Sequence, residues 1–282
     1  MTNKLPPDYQ CPLCMQNGNE SVHVYKEKPK GETEFRLQGD SGYHREILYC
    51  KTCGHFRSVH GMDISSLYES SYVDSTYGGL EGIRKNYERI MALDPTDSDN
   101  SGRVDRVIQF SQNHFPFPPS PTRLLDIGSG LGVFLGKILQ NTNWQCTALE
   151  TDSRFANHTR ENLGIETVTG DYLKLQWDRQ FDIITLNKVL EHVEEPLKML
   201  QKCTLDLAPG GFLYIELPDG ESAACDREGF EREEFFIEHC HVFSMASMEL
   251  LSRRTGLQSQ ELERLREPSS KYTLRSFLVH AN

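Results

Sequence analysis

The sequence predicts an α/β protein: a mostly parallel sheet flanked by helices and closed by a C-terminal antiparallel hairpin, behind a small four-cysteine module. Three observations carry this. Between residues 119 and 282, apolar runs of strand length alternate with amphipathic stretches, the texture of repeated βαβ units. The last two apolar runs, 257–262 and 272–280, have only Glu267-Pro268-Ser269-Ser270 and neighbours between them. That is too short for a crossover helix, so the two strands must be antiparallel. Near the N-terminus two Cys-x-x-Cys turns, Cys11-Pro12-Leu13-Cys14 and Cys50-Lys51-Thr52-Cys53, enclose residues 15–49.

The elements follow in order. Residues 1–62 hold both cysteine turns. Each places two thiols on one side, and two turns together make a four-sulfur cage for Zn²⁺. Gly18 and Gly54 follow the two pairs, as knuckle turns require. Four sulfurs fill the shell, so Cys11, Cys14, Cys50 and Cys53 are expected to hold a structural zinc in a ribbon-like module. His55 could replace one ligand. A redox role is disfavoured because neither turn joins a strand to a helix. Cys146, Cys203, Cys225 and Cys240 are scattered and read as small apolar residues.

Residues 63–118 are rich in tyrosine and charge and read as a helical linker or lid. Tyr68, Tyr72, Tyr77 and Tyr87 suit either an aromatic lid or packing on the next domain. The cluster Pro116, Pro118, Pro119 and Pro121 cannot be helix interior and marks a boundary. In 119–282, strands are predicted at 123–127, 145–150, 165–168, 181–187, 212–217, 257–262 and 272–280. Helices are predicted at 133–139, 153–162, 195–205 and 245–255. Ser244 is placed as N-cap and Gly256 at the end of the last helix. Pro209-Gly210-Gly211 is expected to stop the third helix and turn into the next strand.

The whole-chain numbers set limits. With 282 residues and 37% hydrophobic composition there is material for one full core plus a small module. A net charge of −11 opposes a duplex-binding surface, so no nucleic-acid partner is expected. Arg253, Arg254, Arg264 and Arg266 are interleaved with Glu261, Glu263 and Glu267 and read as a solvated face. Residues 1–10 lack the apolar stretch of a leader, and nothing approaches the ~20 apolar residues of a membrane span. The expectation is a cytoplasmic protein with reduced or metal-bound cysteines and no membrane partner.

Leu124-Leu125-Asp126-Ile127-Gly128-Ser129-Gly130-Leu131-Gly132 follows a buried strand and opens a helix. The glycines allow a sharp turn and close approach of a ligand, and the helix N-terminus offers N–H groups to a carboxylate or phosphate. The dinucleotide fingerprint G-x-G-x-x-G is one reading, but the third glycine comes one position early, with Val133 at the fingerprint place. Glu150 ends the next strand and suits a ribose in either reading. Asp126, ahead of the glycines, is extra to the dinucleotide pattern.

Three later segments go further: Glu150-Thr151-Asp152, Gly170-Asp171-Tyr172, and Asn187-Lys188-Val189-Leu190-Glu191-His192-Val193-Glu194-Glu195-Pro196. In order and spacing, with the glycine loop, residues 119–282 resemble class I S-adenosylmethionine-dependent methyltransferases. The last segment is similar to their "LEHV…P" run. The resemblance implies a Rossmann-like seven-stranded sheet with S-adenosylmethionine across the strand ends. Asp126, Gly128, Ser129, Gly130, Gly132, Glu150, Thr151, Asp171, Tyr172, Asn187 and His192 would line its site. Glu150 would take the ribose hydroxyls, and Asp171 would stand near the adenine amino group.

Glu238-His239-Cys240-His241-Val242-Phe243-Ser244 resembles the "E-H-x-x-x-F-S" segment of sugar C-methyltransferases, which also begin with a four-cysteine zinc module. The resemblance implies a proton-removing role for Glu238 and His239, with His192 facing the same cleft. The chain departs from that group at Phe236, where those enzymes carry tyrosine, and it ends at Asn282 without their long C-terminal domain. The resulting expectation is methyl transfer to a small-molecule acceptor, such as a sugar or nucleotide-linked sugar. Two other readings stay open: an NAD(P)-dependent oxidoreductase, and a zinc-ribbon binding module on a non-catalytic scaffold.

Overall fold

The computed structural model describes residues 9–33, 42–62 and 79–281. Tyr68, Tyr72 and Tyr77 lie outside the described residues. The described chain forms a four-stranded sheet and a seven-stranded sheet.

The larger sheet is built from β4 (Arg123–Ile127), β5 (Gln145–Glu150), β6 (Glu166–Thr169), β7 (Phe181–Asn187), β8 (Leu207–Pro218), β10 (Leu257–Arg266) and β11 (Tyr272–His280). Its order is β10-β11-β8-β7-β4-β5-β6. β8, β7, β4, β5 and β6 pair in parallel, and β11 is antiparallel to both β8 and β10. β4, β5 and β7 are almost wholly buried. Strands covered on both faces read as continuous apolar runs, which is why their limits were legible.

Helices close both faces. On one side α2 (Asp99–His114) and α3 (Val133–Asn141) bury Val104, Val107, Phe110, Leu135 and Ile138 against Leu124, Phe212 and Phe277. Phe110 stacks on Phe277 at 3.9 Å. On the other side α5 (Pro196–Asp206) and α7 (Met245–Arg254) bury Leu200, Met248 and Leu251 against Leu125, Ile184 and Leu213. α4 (Ser153–Leu163) follows β5 and ends at Gly164 with φ 66°. Ser244 caps α7 through a reciprocal box with Ser247, and Gly256 leaves it at φ 78°. α1 (Leu80–Met91) lies over the loop after β4, where Ile83 packs with Leu131 and Phe155. Tyr87 packs edge-on against His158. No helix among the described residues is long and apolar enough to cross a membrane.

Two expectations change. Pro209-Gly210-Gly211 is not a turn between helix and strand. It lies inside β8, where the register against β7 slips between the Phe181↔Leu207 and Ile183↔Phe212 pairs. A bulge tolerates a proline that cannot donate to the ladder, and Gly210 takes φ 77° there. β10 runs to Arg266, four residues beyond its expected end. Its outer half is charged because it is an edge strand, and charge blunts an edge.

The second sheet, in order β1-β2-β3-β9, joins β1 (Asn19–Tyr25), β2 (Arg45–Cys50) and β3 (Phe56–His60) to β9 (His241–Val242). Phe56 pairs with Val242 and Arg57 with His241. The core under this sheet mixes Tyr25, Ile47 and Phe56 with Ala223, Phe235 and Val242. The cysteine-bearing segment therefore completes its sheet with residues from the far end of the chain.

Candidate cofactor and acceptor site

Strand order reverses at β4, which lies between β5 and β7; this leaves a crevice at the carboxyl ends of these strands. The glycine loop occupies it. Gly128, Gly130 and Gly132 have φ of 71°, 50° and 75°. A Cβ at Gly128 would stand 2.7 Å from Val189 Cγ2, and one at Gly132 2.9 Å from Thr159 Oγ1. At Gly130 nothing lies within 4 Å. The outer glycines are thus fixed by packing, while the middle one borders open space. α3 starts at Gly132 with no side-chain cap, so its first N–H groups are available to an anion. Ser129 Oγ, buried beside them, has no hydrogen-bond partner.

Two buried acids flank the loop. Glu150 Oε2 accepts from Gly130 N at 2.8 Å, and Oε1 accepts from Thr151 N at 2.7 Å and Asp152 N at 3.1 Å. Burial still holds its pKa above the ordinary carboxylate range, against the pull of these N–H groups. Asp126 Oδ1 accepts from Thr185 Oγ1 at 2.6 Å and Asn187 Nδ2 at 3.0 Å. Burial pushes the Asp126 carboxyl up to about 7. Asn187 keeps its Oδ1 unpartnered. Thr185 was missed in the sequence. Its signal was its place two residues before Asn187 on one strand, hence on the same face.

The other expected cofactor residues sort differently. Thr151 is exposed and spends its N–H and hydroxyl on Glu150. Asp171 follows β6 beside Glu150, since Gly170 N donates to Glu150 O at 3.0 Å. Its carboxylate caps Leu173 N at 3.0 Å and pairs with Lys174 at 3.2 Å. Tyr172 points away from the glycine loop. Its ring is 1% exposed, in the core, and its hydroxyl donates to Asp206 at 2.6 Å.

The candidate acceptor site is a cavity of about 390 Å³ walled by five separate segments: 31–33, 188–192, Pro218, 233–239 and 271–272. Glu238, His239 and His192 all line it. His192 Nδ1 lies 2.9 Å from Glu238 O, and His239 Nδ1 lies 2.9 Å from Glu234 O. A carbonyl only accepts, so each Nδ1 carries a proton, which in the neutral ring leaves the lone pair on Nε2. Burial, and next His192, hold His239 well below the usual imidazole pKa; burial raises Glu238. Lys188 occupies a left-handed backbone position, φ 59°, and donates from Nζ to Thr273 Oγ1 at 2.7 Å. Glu191 is 1% exposed and neither carboxylate oxygen has a hydrogen-bond partner.

The N-terminal segment builds part of this wall. Glu32 Oε2 accepts from Ile237 N at 2.7 Å and pairs with Arg45 at 3.2 Å, while Arg45 Nη1 donates to Phe235 O at 2.5 Å. Tyr43 donates to the other Glu32 oxygen at 2.7 Å. Nothing in the local sequence around Glu32 flagged it, because the partner that ties it to the cavity wall, Ile237, is about two hundred residues away.

The four expected metal cysteines come together, their sulfurs all within 4.8 Å of one another. Cys11 and Cys53 are 3.6 Å apart and Cys14 and Cys50 3.5 Å, far beyond the ~2.05 Å of a disulfide. Met15 N donates to Cys11 O at 2.9 Å and Gly54 N to Cys50 O at 2.8 Å. Each turn ends on a left-handed residue, Met15 at 59° and Gly54 at 71°. Glycine is required at the second because a Cβ would meet Ser244 Oγ at 2.7 Å. The Cys53 thiol hydrogen bond lowers Cys11 to about 5 and correspondingly raises Cys53. This four-thiol set fits tetrahedral zinc. His55 turns instead to His241, 2.8 Å between ring nitrogens. Of the remaining cysteines, Cys146 and Cys203 are buried, Cys240 is half-buried and Cys225 is exposed.

Residues 97–262 match a family described as "Methyltransferase domain". The chain is 28% identical over 139 residues to the ubiquinone biosynthesis O-methyltransferase of Caulobacter sp. (strain K31), covering 47% of this chain and 50% of that protein. It thus spans about half the length of that curated relative. In fold it resembles an S-adenosylmethionine-dependent methyltransferase from Clostridium acetobutylicum ATCC 824, with TM-score 0.54, 12% identity, and coverage of 71% of this chain and 99% of that one. It also resembles the N-methyltransferase NodS of Bradyrhizobium japonicum WM9 in complex with S-adenosyl-L-homocysteine, with TM-score 0.50, 18% identity, and coverage of 71% and 99%.

Proposed function

The chain belongs to the methyltransferase-domain family, and we propose that it transfers a methyl group from S-adenosylmethionine to a small polar acceptor of the sugar or nucleotide-linked sugar kind. The observation that carries this reading is a pair of chemically distinct sites that adjoin at the end of β7. The first is the glycine loop with Asp126, Glu150 and Asn187; the second begins one residue on, at Lys188, and is the cavity with His192, Glu238 and His239. The cofactor supplies a methyl group on a positively charged sulfur.

The chain's own residues do the rest. The N-terminus of α3 and Ser129 receive the amino-acid carboxylate. Glu150 exchanges part of its N–H bonding for two ribose hydroxyls, and Asp171 marks the adenine side. Gly128, Gly130 and Gly132 keep the loop low enough for that approach. The cavity aligns the acceptor for in-line displacement, where alignment is the main source of rate. Burial raises the Glu238 carboxyl, which makes it the better proton acceptor, and keeps His239 neutral with its Nε2 lone pair free, so proton removal from the acceptor falls to this pair.

Cys11, Cys14, Cys50 and Cys53 hold a zinc ion whose shell they fill. The ribbon of residues 1–62 then serves as scaffold, reaching the acceptor cavity through residues 31–33 rather than through its metal. Residues 79–118 carry α1 and α2, of which α2 packs into the core of the transfer domain, and 119–282 form the rest of that domain.

Calorimetric titration with S-adenosylmethionine tests the reading. Gly130→Arg adds a side chain where the protein leaves open space, so it should fold and lose binding. Glu150→Ala should also lose it. A folded wild type that does not bind S-adenosylmethionine or S-adenosylhomocysteine sinks the proposal.

A further inference from the structure

Glu191 is left unused by the reading above, and a buried carboxylate with no donor is costly. Its oxygens share the cavity wall with the His192 and His239 rings; one ligand atom from each of the three lies within 4.8 Å of the others. Both imidazoles are already oriented as metal ligands are. Each donates Nδ1–H to a main-chain carbonyl, fixing the ring and leaving the Nε2 lone pair outward. We propose that Glu191, His192 and His239 form a second metal site, a two-histidine, one-carboxylate face for a divalent transition-metal cation. Its open positions face the acceptor.

The donor set selects the ion. Two nitrogens and one oxygen suit Mn²⁺, Fe²⁺, Co²⁺ or Zn²⁺ better than Mg²⁺ or Ca²⁺. Bonds of ~2.1 Å put neighbouring ligands about 3 Å apart, so ligand atoms at the 4.8 Å limit close by up to about 1.8 Å on binding. The opposing charge is Lys188. Its ammonium is held by Thr273 and shares the field of Glu216 and Glu267 as well as Glu191. Lys271, the other lysine on the cavity, pairs with Glu233. These cations weaken the site without filling it, so the metal exchanges rather than being permanently held.

The site deepens the proposed function and rests on its acceptor cavity. A cation there takes the lone pair of His239, polarises an acceptor oxygen and lowers the pKa of a bound hydroxyl, leaving Glu238 to receive its proton. The acceptor class becomes one that presents adjacent oxygens to a metal.

Mn²⁺ is the probe, because it does not compete for a thiolate cage. The full-length, zinc-loaded chain is titrated with Mn²⁺ and free ion is read by electron paramagnetic resonance. The variants are Glu191→Gln and His239→Asn, with S-adenosylhomocysteine binding and thermal melting measured on each. One Mn²⁺ per wild-type chain, bound more than tenfold more weakly in both folded variants with S-adenosylhomocysteine binding unchanged, is the expected result. A folded wild type that binds S-adenosylhomocysteine but not Mn²⁺ overturns the site, as does equal Mn²⁺ binding in all three proteins. Loss of S-adenosylhomocysteine binding in the wild type would strike the methyl-transfer reading instead.

Discussion

The two halves of the proposed site are built in opposite ways. The proposed cofactor end comes from short, contiguous motifs at the tips of neighbouring parallel strands: 126–132, 150–152 and 185–187. The proposed acceptor end draws on 31–33, 188–192, Pro218, 233–239 and 271–272, with a second sheet whose last strand is β9 beside it. The first arrangement is local, set by backbone turns and strand adjacency. The second depends on pairing between segments about two hundred residues apart, such as Glu32 with Ile237 and Arg45 with Phe235. Damage to the N-terminal segment should therefore reach the acceptor end and spare the cofactor end.

The strongest break in that contrast is Cys50→Ser. It removes one of the four sulfurs proposed to hold zinc, and should lower the melting temperature by roughly 10 °C. Binding of S-adenosylhomocysteine at low temperature should persist within about threefold; a complete loss would mean the two ends are not separable. Glu150→Ala cuts the other way. Loss of two charge-assisted hydrogen bonds, about 3 kcal/mol, should weaken S-adenosylhomocysteine about a hundredfold in calorimetry. The four-cysteine zinc content should stay unchanged.

Asp126 sharpens the comparison through pH. Its folded pKa of about 7 lies above the ordinary value of 3.8, so the protonated form is the one the fold favours. That contribution is fully present below the unfolded pKa and is lost as pH rises through about 7. Asp126→Asn keeps a neutral group that can still accept from Thr185 and Asn187. It should match the wild type near pH 4 and gain stability over it, up to about 4 kcal/mol at pH 8, by denaturant unfolding. A constant difference across that range would show that Asp126 does not titrate there.

The smallest effect is expected at Gly31, on the acceptor wall. Its φ is 93°, and a Cβ would stand 3.7 Å from Phe236, an ordinary contact. Gly31→Ala therefore carries backbone strain of about 1 kcal/mol and no clash. The melting temperature should fall by about 2–4 °C with S-adenosylhomocysteine binding unchanged.

How far the chain could be read follows the same division. β4, β5, β7 and β11 were legible to the residue because buried strands leave uninterrupted apolar runs and glycine or charge at their ends. The edge strand β10 was read short because its charged outer half carries no such signal. Pro209-Gly210-Gly211 looked like a turn because a bulge and a turn use the same residues; only the pairing of β8 with β7 separates them. Tyr172 stood at the expected place after β6, yet its side chain turned under α5 toward Asp206, a choice between two faces that sequence spacing leaves open.

By itself, the sequence determined the parallel sheet, the glycine loop with Asp126 and Glu150, and the two cysteine turns, because each is announced by a short motif of its own. Only the tertiary structure decided that residues 31–33 wall the acceptor cavity. Only there did Glu191, His192 and His239 meet around a buried, unpartnered carboxylate, and His55 turn to His241 instead of the sulfurs. Local backbone geometry writes itself into short motifs. Contacts across a long loop leave no mark on either partner's neighbours, and they exist only once the sheet order has brought the segments together.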